Sequence, residues 1–315
     1  MTKYDVIVIG GGAAGLSGAT ALARSRRSVL VVDDGTPRNA PAEGVHNFLT
    51  RDGVPPGELY ALGRQEVAGY GGEIVTGTVI MARRDSGGFT VELADGTAYQ
   101  GRRLLVTTGL ADVLPEVPGL AERWGKDVLH CPYCHGWEVR DQAIGVLATS
   151  AMALHQVQLF RQLSDDVTLF LHTAPELTDD QWEELAARGI SVVQGKVEQV
   201  EVENGKLTGV RLEGGKVIPR QALAIQTTMR ARADFLADLG LETVVRETNG
   251  IVIGTVVPVD ARGATDVPGV FAAGNVTDPM AQVMSSAAAG LMTGAGINFD
   301  LITEETRLAV AARSS

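Results

Sequence analysis

The sequence has little cysteine, few aromatic side chains and a shortage of positive charge. Of its 315 residues only two are cysteines and 5% are Phe, Trp or Tyr, and 27 Lys and Arg stand against 38 Asp and Glu, for a formal net charge of −11. The negative charge argues against nucleic acids and acidic membranes as partners. The scarcity of aromatics argues against a stacking platform for bases. With 45% hydrophobic residues the chain can bury a large core, which excludes disorder and a small disulfide scaffold.

Long hydrophobic runs are also missing. Two stretches carry no charge, residues 6–23 and 279–299, but the first contains five glycines and the second is mostly Ala, Gly, Ser and Met. Both are too weakly hydrophobic for a membrane span. No apolar run closed by a small-residue cleavage site indicates a signal peptide near the first residue. The sequence therefore predicts a cytoplasmic protein without a membrane partner.

Glycine, by contrast, is abundant, with 38 residues. In residues 4–35 an apolar run leads into a glycine turn, an alanine-rich stretch and a second apolar run that ends in two aspartates, the pattern of a βαβ unit. The glycines fit G-x-G-x-x-G, which lets a pyrophosphate approach a helix N-terminus, and an acid after the second strand can bind an adenosine ribose. The predicted nucleotide contacts here are Gly10, Gly12, Ala13, Ala14, Gly15, Asp33 and Asp34.

Residues 143–173 repeat the strand, helix, strand layout without its nucleotide chemistry. Aligned on the first unit, Gly10, Gly12 and Gly15 correspond to Ala148, Ser150 and Ala153, and Asp33 and Asp34 correspond to Leu171 and His172. Side chains at the first two positions obstruct the backbone approach that a pyrophosphate needs, and no arginine follows the second strand to hold a 2′-phosphate. We expect the fold to be retained and the dinucleotide site to be lost.

Short alternating segments follow each βαβ unit, in residues 77–109 and 195–228, with Gly-containing turns that predict two β-meanders. Glycine-rich sequence of the nucleotide-binding type returns at residues 270–275, so the second copy is inserted in the first. The predicted fold is α/β with two Rossmann-like domains. The first comprises residues 1–110 and 246–315, and the second residues 111–245.

Both cysteines, Cys131 and Cys134, belong to one C-x-x-C, a spacing that indicates redox catalysis or metal binding more often than structural stapling. A zinc site would also need His130 and His135. Four ligands within six residues cannot all reach one tetrahedral metal, and no second Cys or His pair lies elsewhere. A pair of inert buried cysteines is the other alternative. The sequence therefore predicts a redox pair and no metal.

Together these features resemble the low-molecular-weight thioredoxin-reductase-type flavoproteins. Beyond the glycine unit, the likeness rests on Thr107-Thr108-Gly109 after the first meander, on the C-x-x-C before the second βαβ unit, and on Gly274-Asn275 followed by Ala281-Gln282-Val283. The resemblance implies FAD in the first domain, NADPH in the second and a homodimer. It adds the predicted flavin contacts Asn47, Thr108, Gly109, Gly274, Asn275, Gln282 and Val283.

Some residues depart from the family pattern. The second domain lacks the glycine fingerprint and the arginine motif, His135 stands where an acid is usual, and Asn275 replaces an aspartate. The string CPYCHGWE, residues 131–138, is similar to that of the dithiol oxidases which close disulfides in gliotoxin, holomycin and romidepsin without NADPH. That subgroup implies a small natural-product dithiol as substrate, whose electrons pass through the cysteine pair and FAD to O2, giving H2O2.

The resemblance also implies that Cys131 faces the substrate and Cys134 the flavin. Thiol exchange needs a proton acceptor with a pKa near the working pH, and His135 is the predicted base. His130 and Glu138 are second candidates, one to tune the thiolate and the other to orient a histidine. Two alternatives remain open: a disulfide reductase supplied by NADPH or a protein electron donor, and a flavin-containing protein that only sequesters a dithiol.

Overall fold

The computed structural model describes residues 3–314 of an α/β protein. Residues 1, 2 and 315, which fall in the predicted first domain, lie outside the described residues. The strands are β1 (Lys3–Ile9), β2 (Val29–Asp33), β3 (Glu73–Thr76), β4 (Val79–Asp85), β5 (Gly88–Leu93), β6 (Ala98–Val106), β7 (Leu110–Val113), β8 (Val128–Leu129), β9 (Ile144–Leu147), β10 (Val167–Phe170), β11 (Ser191–Val193), β12 (Val197–Glu203), β13 (Lys206–Leu212), β14 (Val217–Pro219), β15 (Ala222–Ile225), β16 (Thr228–Ala231), β17 (Val244–Thr248), β18 (Ile251–Val256) and β19 (Val270–Ala272). The helices are α1 (Ala13–Arg24), α2 (Pro56–Gly69), α3 (Leu120–Arg123), α4 (Pro132–His135), α5 (Ala153–Phe160), α6 (Asp179–Ala187) and α7 (Val283–Arg313), with 3₁₀ turns at Trp137–Val139, Asp234–Leu239 and Gly274–Val276. Among these helices none is both long and apolar enough to cross a membrane.

The first βαβ unit lies at the centre of a seven-stranded sheet in the order β3-β2-β1-β6-β5-β4, with β19 beside β6. Strands β1 and β2 pair in parallel, and their near-continuous Val and Ile runs suit a sheet that is covered on both faces. Val6 and Val8 pack into the core that contains α1, and Ile7 and Ile9 pack into the core on the opposite face. The predicted βαβ unit is confirmed.

The second βαβ unit forms the middle of a five-stranded parallel sheet in the order β11-β10-β9-β15-β8. The predicted meanders are also present, as the antiparallel strands β4-β5-β6 and β12-β13-β14. Asn204 and Gly205, with φ of 50° and 73°, form the tight turn between β12 and β13. The α/β class and the two Rossmann-like units are confirmed.

A smaller sheet, in the order β17-β18-β16-β7, connects the two units. Strand β7 leaves the first unit and pairs antiparallel with β16, which follows the second unit. Leu110, Met229 and Ile253 form a small core on this sheet. The predicted domain boundaries at 110/111 and 245/246 both fall within it, so the division of the chain into domains stays a prediction.

Helices α1 and α7 pack against each other in the same direction at very short range. A Cβ atom at Gly290 would run into the carbonyl group of Ala14, and a Cβ atom at Gly294 would lie 2.8 Å from the carbonyl oxygen of Gly18. Residues without side chains at these contacts allow the two backbones to touch. Because the helices are parallel, both N-termini lie at the same end of the seven-stranded sheet.

Candidate active site

A single cleft of about 860 Å³ connects the glycine turn after β1 to the cysteine pair. It lies at the carboxyl ends of β1, β2 and β6, the usual position of a ligand site in a doubly wound sheet. The predicted site residues that line it are Gly10, Gly12, Ala13, Ala14, Asp33, Asp34, Thr108, Gly109, His130, Cys131, Cys134, His135, Asn275, Gln282 and Val283. Four others, Gly15, Asn47, Glu138 and Gly274, are not part of its wall.

The glycine turn presents bare backbone to the cleft. Gly10 has φ of +104°, and a Cβ atom there would lie 2.5 Å from the carbonyl oxygen of Thr107, whose hydroxyl donates to the Gly10 carbonyl oxygen at 2.8 Å. Gly12 is the N-cap of α1, and a Cβ atom there would meet no atom within 4 Å. Gly10 is therefore required by the fold, whereas Gly12 faces open space where a phosphate can approach.

Asp33 and Asp34 have different roles in the structure. Asp33 Oδ1 accepts the backbone N–H of Gly11 at 2.9 Å, so this carboxylate holds the glycine turn in place beside the cleft. Asp34 Oδ1 accepts from both the N–H and the hydroxyl of Thr36 at 2.8 Å, and its other oxygen lies 3.8 Å from Arg232 Nη1. Asp34 thus shapes the loop after β2.

Two helix N-termini point to the same part of the cleft. The N-caps of α1 and α7, Gly12 and Gln282, supply no side-chain hydrogen bond, and neither first turn contains an acidic residue. Nearby, Ser286 is buried and lines the cleft, and within residues 3–314 its hydroxyl has no hydrogen-bond partner. Free N–H groups, helix dipoles and an unpartnered hydroxyl fit the phosphates and polar edges of a dinucleotide.

The other predicted flavin contacts support the wall of the cleft. Asn275 Nδ2 donates to three carbonyl oxygens of residues 278–281 at 2.8–3.3 Å and fixes the turn before α7. The Thr108 hydroxyl donates to the carbonyl oxygen of Arg232 at 2.5 Å. Gly274 has φ of +81° and packs on Ala14. These residues position the backbone beside the cleft.

Asn47 is not among the residues that line the cleft, and its predicted contact with a flavin ring stays a prediction. The residue is exposed and adopts φ of 58°. Its Nδ2 atom donates to the carbonyl oxygen of Tyr133 at 2.7 Å, and its N–H donates to Asp52 at 2.9 Å. Asn47 therefore ties the loop between β2 and α2 to the turn that contains the cysteines.

Cys131 and Cys134 form a disulfide in the wall of the cleft, with Cα atoms 5.3 Å apart. Cys131 is the N-cap of the short helix α4, and its sulfur accepts the backbone N–H of Cys134 at 3.2 Å. A hydrogen bond to sulfur favours the thiolate over the thiol when the bond is reduced. Both cysteines are accessible from the cleft, and the hydrogen bond to the Cys131 sulfur would favour thiol–disulfide exchange.

His135 follows the second cysteine and is suited to accept a proton. Within the described chain its Nε2 atom is buried without a hydrogen-bond partner. Burial lowers the pKa of His135 below the ordinary value of 6.5, although the nearby charge of Glu138 acts in the opposite direction. The imidazole is therefore neutral at neutral pH, which is the state a general base requires.

The other two acid–base candidates are less well placed. The Nδ1 atom of His130 lies 3.2 Å from the carbonyl oxygen of Ile225, and Gln156 Nε2 donates to the His130 carbonyl oxygen at 2.7 Å. Burial and the charge of Arg38 lower the pKa of His130. Glu138 lies outside the cleft wall and contacts a different histidine, His46, with 3.3 Å between Oε1 and Nε2.

The loop of residues 34–55 supplies cleft residues that the sequence pattern did not reveal. Arg38 Nε and Nη2 donate to the two carboxylate oxygens of Asp112 at 2.6 Å, and the Thr227 hydroxyl donates to the same carboxylate at 2.7 Å. Burial alone would raise the pKa of Asp112, but the bonds from Arg38 outweigh it and hold that pKa below its usual value. His46, also in the cleft wall, was not among the predicted residues.

The second βαβ unit offers no comparable turn. Ala148 is buried where the first unit has Gly10, and the Ser150 hydroxyl accepts the N–H of Met152 at 3.3 Å. At the position of Asp34, His172 accepts the N–H of Val197 on Nδ1 at 3.0 Å. Its ring is therefore engaged by the protein backbone. Elsewhere in residues 3–314, no group of three or more His, Cys, Asp or Glu side chains is arranged to hold a metal ion.

The chain is similar over most of its length to known oxidoreductases. A family model described as pyridine nucleotide-disulphide oxidoreductase matches residues 4–294. Thioredoxin reductase tcpT of Claviceps purpurea is 33% identical over 311 residues, which cover 95% of both chains. Thioredoxin reductase sirT of Leptosphaeria maculans is 31% identical over 99% of this chain and 97% of its own. The crystal structure of HlmI superimposes with a TM-score of 0.90 at 45% identity, covering 99% of this chain and 96% of that one.

These matches extend over both Rossmann-like units and the segment between them that contains the cysteines. They confirm the resemblance that the motifs indicated. The chain belongs to the pyridine nucleotide-disulphide oxidoreductase family and is a thioredoxin-reductase-like flavin disulfide oxidoreductase.

Proposed function

We propose that this protein is an FAD-dependent dithiol oxidase that closes a disulfide within a small natural-product dithiol, with O2 as the electron acceptor. One observation carries the proposal. A single cleft joins the open glycine turn to the Cys131–Cys134 disulfide and His135, whereas the corresponding turn of the second unit is filled by side chains. Electrons can therefore enter from the cysteine side without a nicotinamide site.

The residues that would hold FAD are those at the glycine-turn end of the cleft. The backbone of Gly12 and the N-termini of α1 and α7 would face the pyrophosphate, Asp33 the ribose, and Ser286 a polar group of the cofactor. When bound, FAD supplies a two-electron acceptor that O2 reoxidises to give H2O2.

Thiol–disulfide exchange with the substrate takes place at Cys131 and Cys134. A substrate thiol gives its proton to His135, and the thiolate attacks Cys131, which forms a mixed disulfide while the Cys131–Cys134 bond breaks and Cys134 leaves as a thiolate. The second substrate thiol loses its proton and attacks the first substrate sulfur, so Cys131 leaves in turn. The substrate is then a cyclic disulfide, two protons have been released, and the two electrons remain on the reduced cysteine pair.

The first test uses the visible spectrum of the purified protein without oxygen. We expect a small dithiol, dithiothreitol, to bleach the flavin band, and we expect admission of air to restore the colour with production of H2O2. NADPH should leave the band unchanged over the same time. Rapid bleaching by NADPH would instead favour a reductase, the second candidate, which the names of the relatives tcpT and sirT support. A colourless protein would contradict both.

A second test concerns His135. Because a neutral imidazole is the proton acceptor, the bleaching rate with dithiothreitol should fall as the pH decreases, with a midpoint below 6.5, since burial lowers the pKa of this histidine. His135→Gln should slow bleaching by about 10²-fold, the lower end of the effect of removing a general base. A profile unchanged in His135→Gln would assign the base elsewhere.

Three further features belong to the proposal. We propose a cytoplasmic homodimer, supported by the resemblance and by exposed apolar side chains on one side of α7, namely Leu291, Met292, Phe299 and Ile302. We retain the division into residues 1–110 with 246–315 and residues 111–245. The second of these units would be a Rossmann-like scaffold without a working NADPH site.

A further inference from the structure

His46 lies between two carboxylates beside the cysteine pair. Its Nδ1 atom is 3.3 Å from Asp52 Oδ2, and its Nε2 atom is 3.3 Å from Glu138 Oε1. The exposed fractions of the side chains increase outward, from 26% for His46 to 39% for Glu138 and 69% for Asp52. The three groups form a continuous polar path from the wall of the cleft to the surface.

His135 shares the cleft wall with this path. His46 and His135 both line the cleft, and the charges of His46 and Glu138 both act on the His135 ring. In the described chain, the titratable groups within ion-pair distance of His46 are Asp52, from its own loop, and Glu138, from the segment that follows the cysteines. His135 interacts with His46 only electrostatically. Asp52 also accepts the N–H of Asn47, which keeps its carboxylate directed at the imidazole.

Dithiol oxidation requires a route by which substrate protons leave the cleft. Each substrate releases two protons, one before each of the two exchange steps, and His135 is the only histidine adjacent to Cys134 in the sequence. Burial disfavours the charged form of His135, so a proton taken from the first thiol has to leave before the ring can accept the second. A neighbouring histidine with carboxylates on both sides can receive and pass on a proton without large movement.

We propose that His46, together with Glu138 and Asp52, is a proton relay that returns His135 to its neutral form by passing substrate protons to solvent. The inference rests on the proposed dithiol oxidation. In it His46 is a positioning and relay residue, because it acts through His135 and needs no contact with the substrate. The competing explanation is structural: the same contacts could serve only to anchor the loop of residues 34–55.

The experiment compares His46→Gln with His155→Gln in the flavin-loaded protein. Gln can donate from its amide nitrogen to Glu138 as Nε2 of the histidine does, but it cannot be protonated. His155 is exposed on α5 outside the cleft wall, so it is a matched control. Bleaching by dithiothreitol is followed without oxygen at several pH values, with and without free imidazole. Asp52→Asn is a second variant, since Asn still accepts the N–H of Asn47.

We expect His155→Gln to match the wild type, and His46→Gln to bleach about ten-fold more slowly, with the rate restored by free imidazole. Asp52→Asn should be slowed in the same direction. The chain has five histidines, so ring-labelled protein gives resolved NMR titrations. Burial is the main reason why the pKa of His135 is low, and the charge of His46 adds to it, so this pKa should rise in His46→Gln. It should fall in Glu138→Gln, because the charge that raises it is lost.

The outcomes distinguish failure of the proposed dithiol oxidation from failure of the His46 relay. If dithiothreitol fails to bleach the wild type, the proposed function fails and the relay with it. If the wild type bleaches and His46→Gln has the same rate, only the relay is overturned. A slower His46→Gln that free imidazole does not restore, with the His135 titration unchanged, shows a loop anchor and overturns the relay as well.

Discussion

Cys131→Ser and Cys134→Ser should each lower dithiol turnover by at least roughly 10³-fold, as expected when a nucleophile that acts in concert with its partner is removed. Neither variant can form the disulfide that accepts electrons from the substrate. Both cysteines line the cleft and belong neither to the glycine turn nor to the N-termini of α1 and α7, so flavin content should remain at the wild-type level. The absorbance of the purified proteins and the rate of dithiothreitol oxidation measure the two quantities.

The two serine variants should differ from each other in trapping a thiol reagent. In Cys134→Ser the remaining Cys131 keeps the hydrogen bond from the N–H of residue 134 to its sulfur, which favours the thiolate. It should attack an aromatic disulfide reagent, releasing one aryl thiolate and forming a mixed disulfide that mass spectrometry detects. Cys131→Ser should react more slowly. Equal rates would contradict the assignment of Cys131 as the substrate-facing sulfur.

Gly12→Asp should give a folded protein that binds flavin at least roughly 10²-fold more weakly, a loss of about 2.8 kcal/mol. Gly12 is the N-cap of α1 in extended backbone, and a Cβ atom there meets no neighbour within 4 Å. Aspartate is a favourable N-cap, so the helix should form normally. Its carboxylate would occupy the free N–H groups and repel the pyrophosphate. Flavin titration of the apoprotein measures the loss.

Two other variants test whether the loss of flavin binding comes from the negative charge and from this position. Gly12→Asn has the same shape without the charge, so it should bind flavin more tightly than Gly12→Asp. Gly10→Ala should instead unfold more easily, by about 2–4 kcal/mol, because φ is +104° and the new Cβ would lie 2.5 Å from a backbone oxygen. Thermal unfolding distinguishes the two glycines. A Gly12→Asp protein that purifies with full flavin would show that the pyrophosphate lies elsewhere.

The parts of the molecule that follow from local pattern could be predicted from the sequence. Buried Val and Ile runs predicted β1, β2 and β9, and turn glycines predicted both meanders, because these signals come from residues close together in the chain. The glycine turn and the C-x-x-C were likewise visible as spacings. The structure adds that they open into one cleft, which follows from the topology of the sheets.

Contacts made by the loop of residues 34–55 could not be predicted in this way. The pair Arg38–Asp112 joins residues that are far apart in the sequence and follows no periodic pattern. Asn47 is predicted near the flavin by resemblance alone, and its backbone conformation (φ of 58°) and its hydrogen bond to the carbonyl oxygen of Tyr133 follow from no local pattern. His46, the preceding residue, belongs to no motif or periodic pattern that would predict a role for it. An irregular loop takes its conformation from long-range contacts, so its sequence alone does not reveal them.

The parallel contact of α1 with α7 has a consequence for how the protein is made. On the ribosome, α1 emerges early, but the helix that covers its glycine face is synthesised only after the whole inserted unit, because Gly290 and Gly294 pack on Ala14 and Gly18. The inserted unit can complete its five-stranded sheet first, since domains fold as units during synthesis. The first sheet must wait for β19 and α7. With FAD held as proposed, flavin uptake would follow translation of α7 and would report that this late docking has taken place.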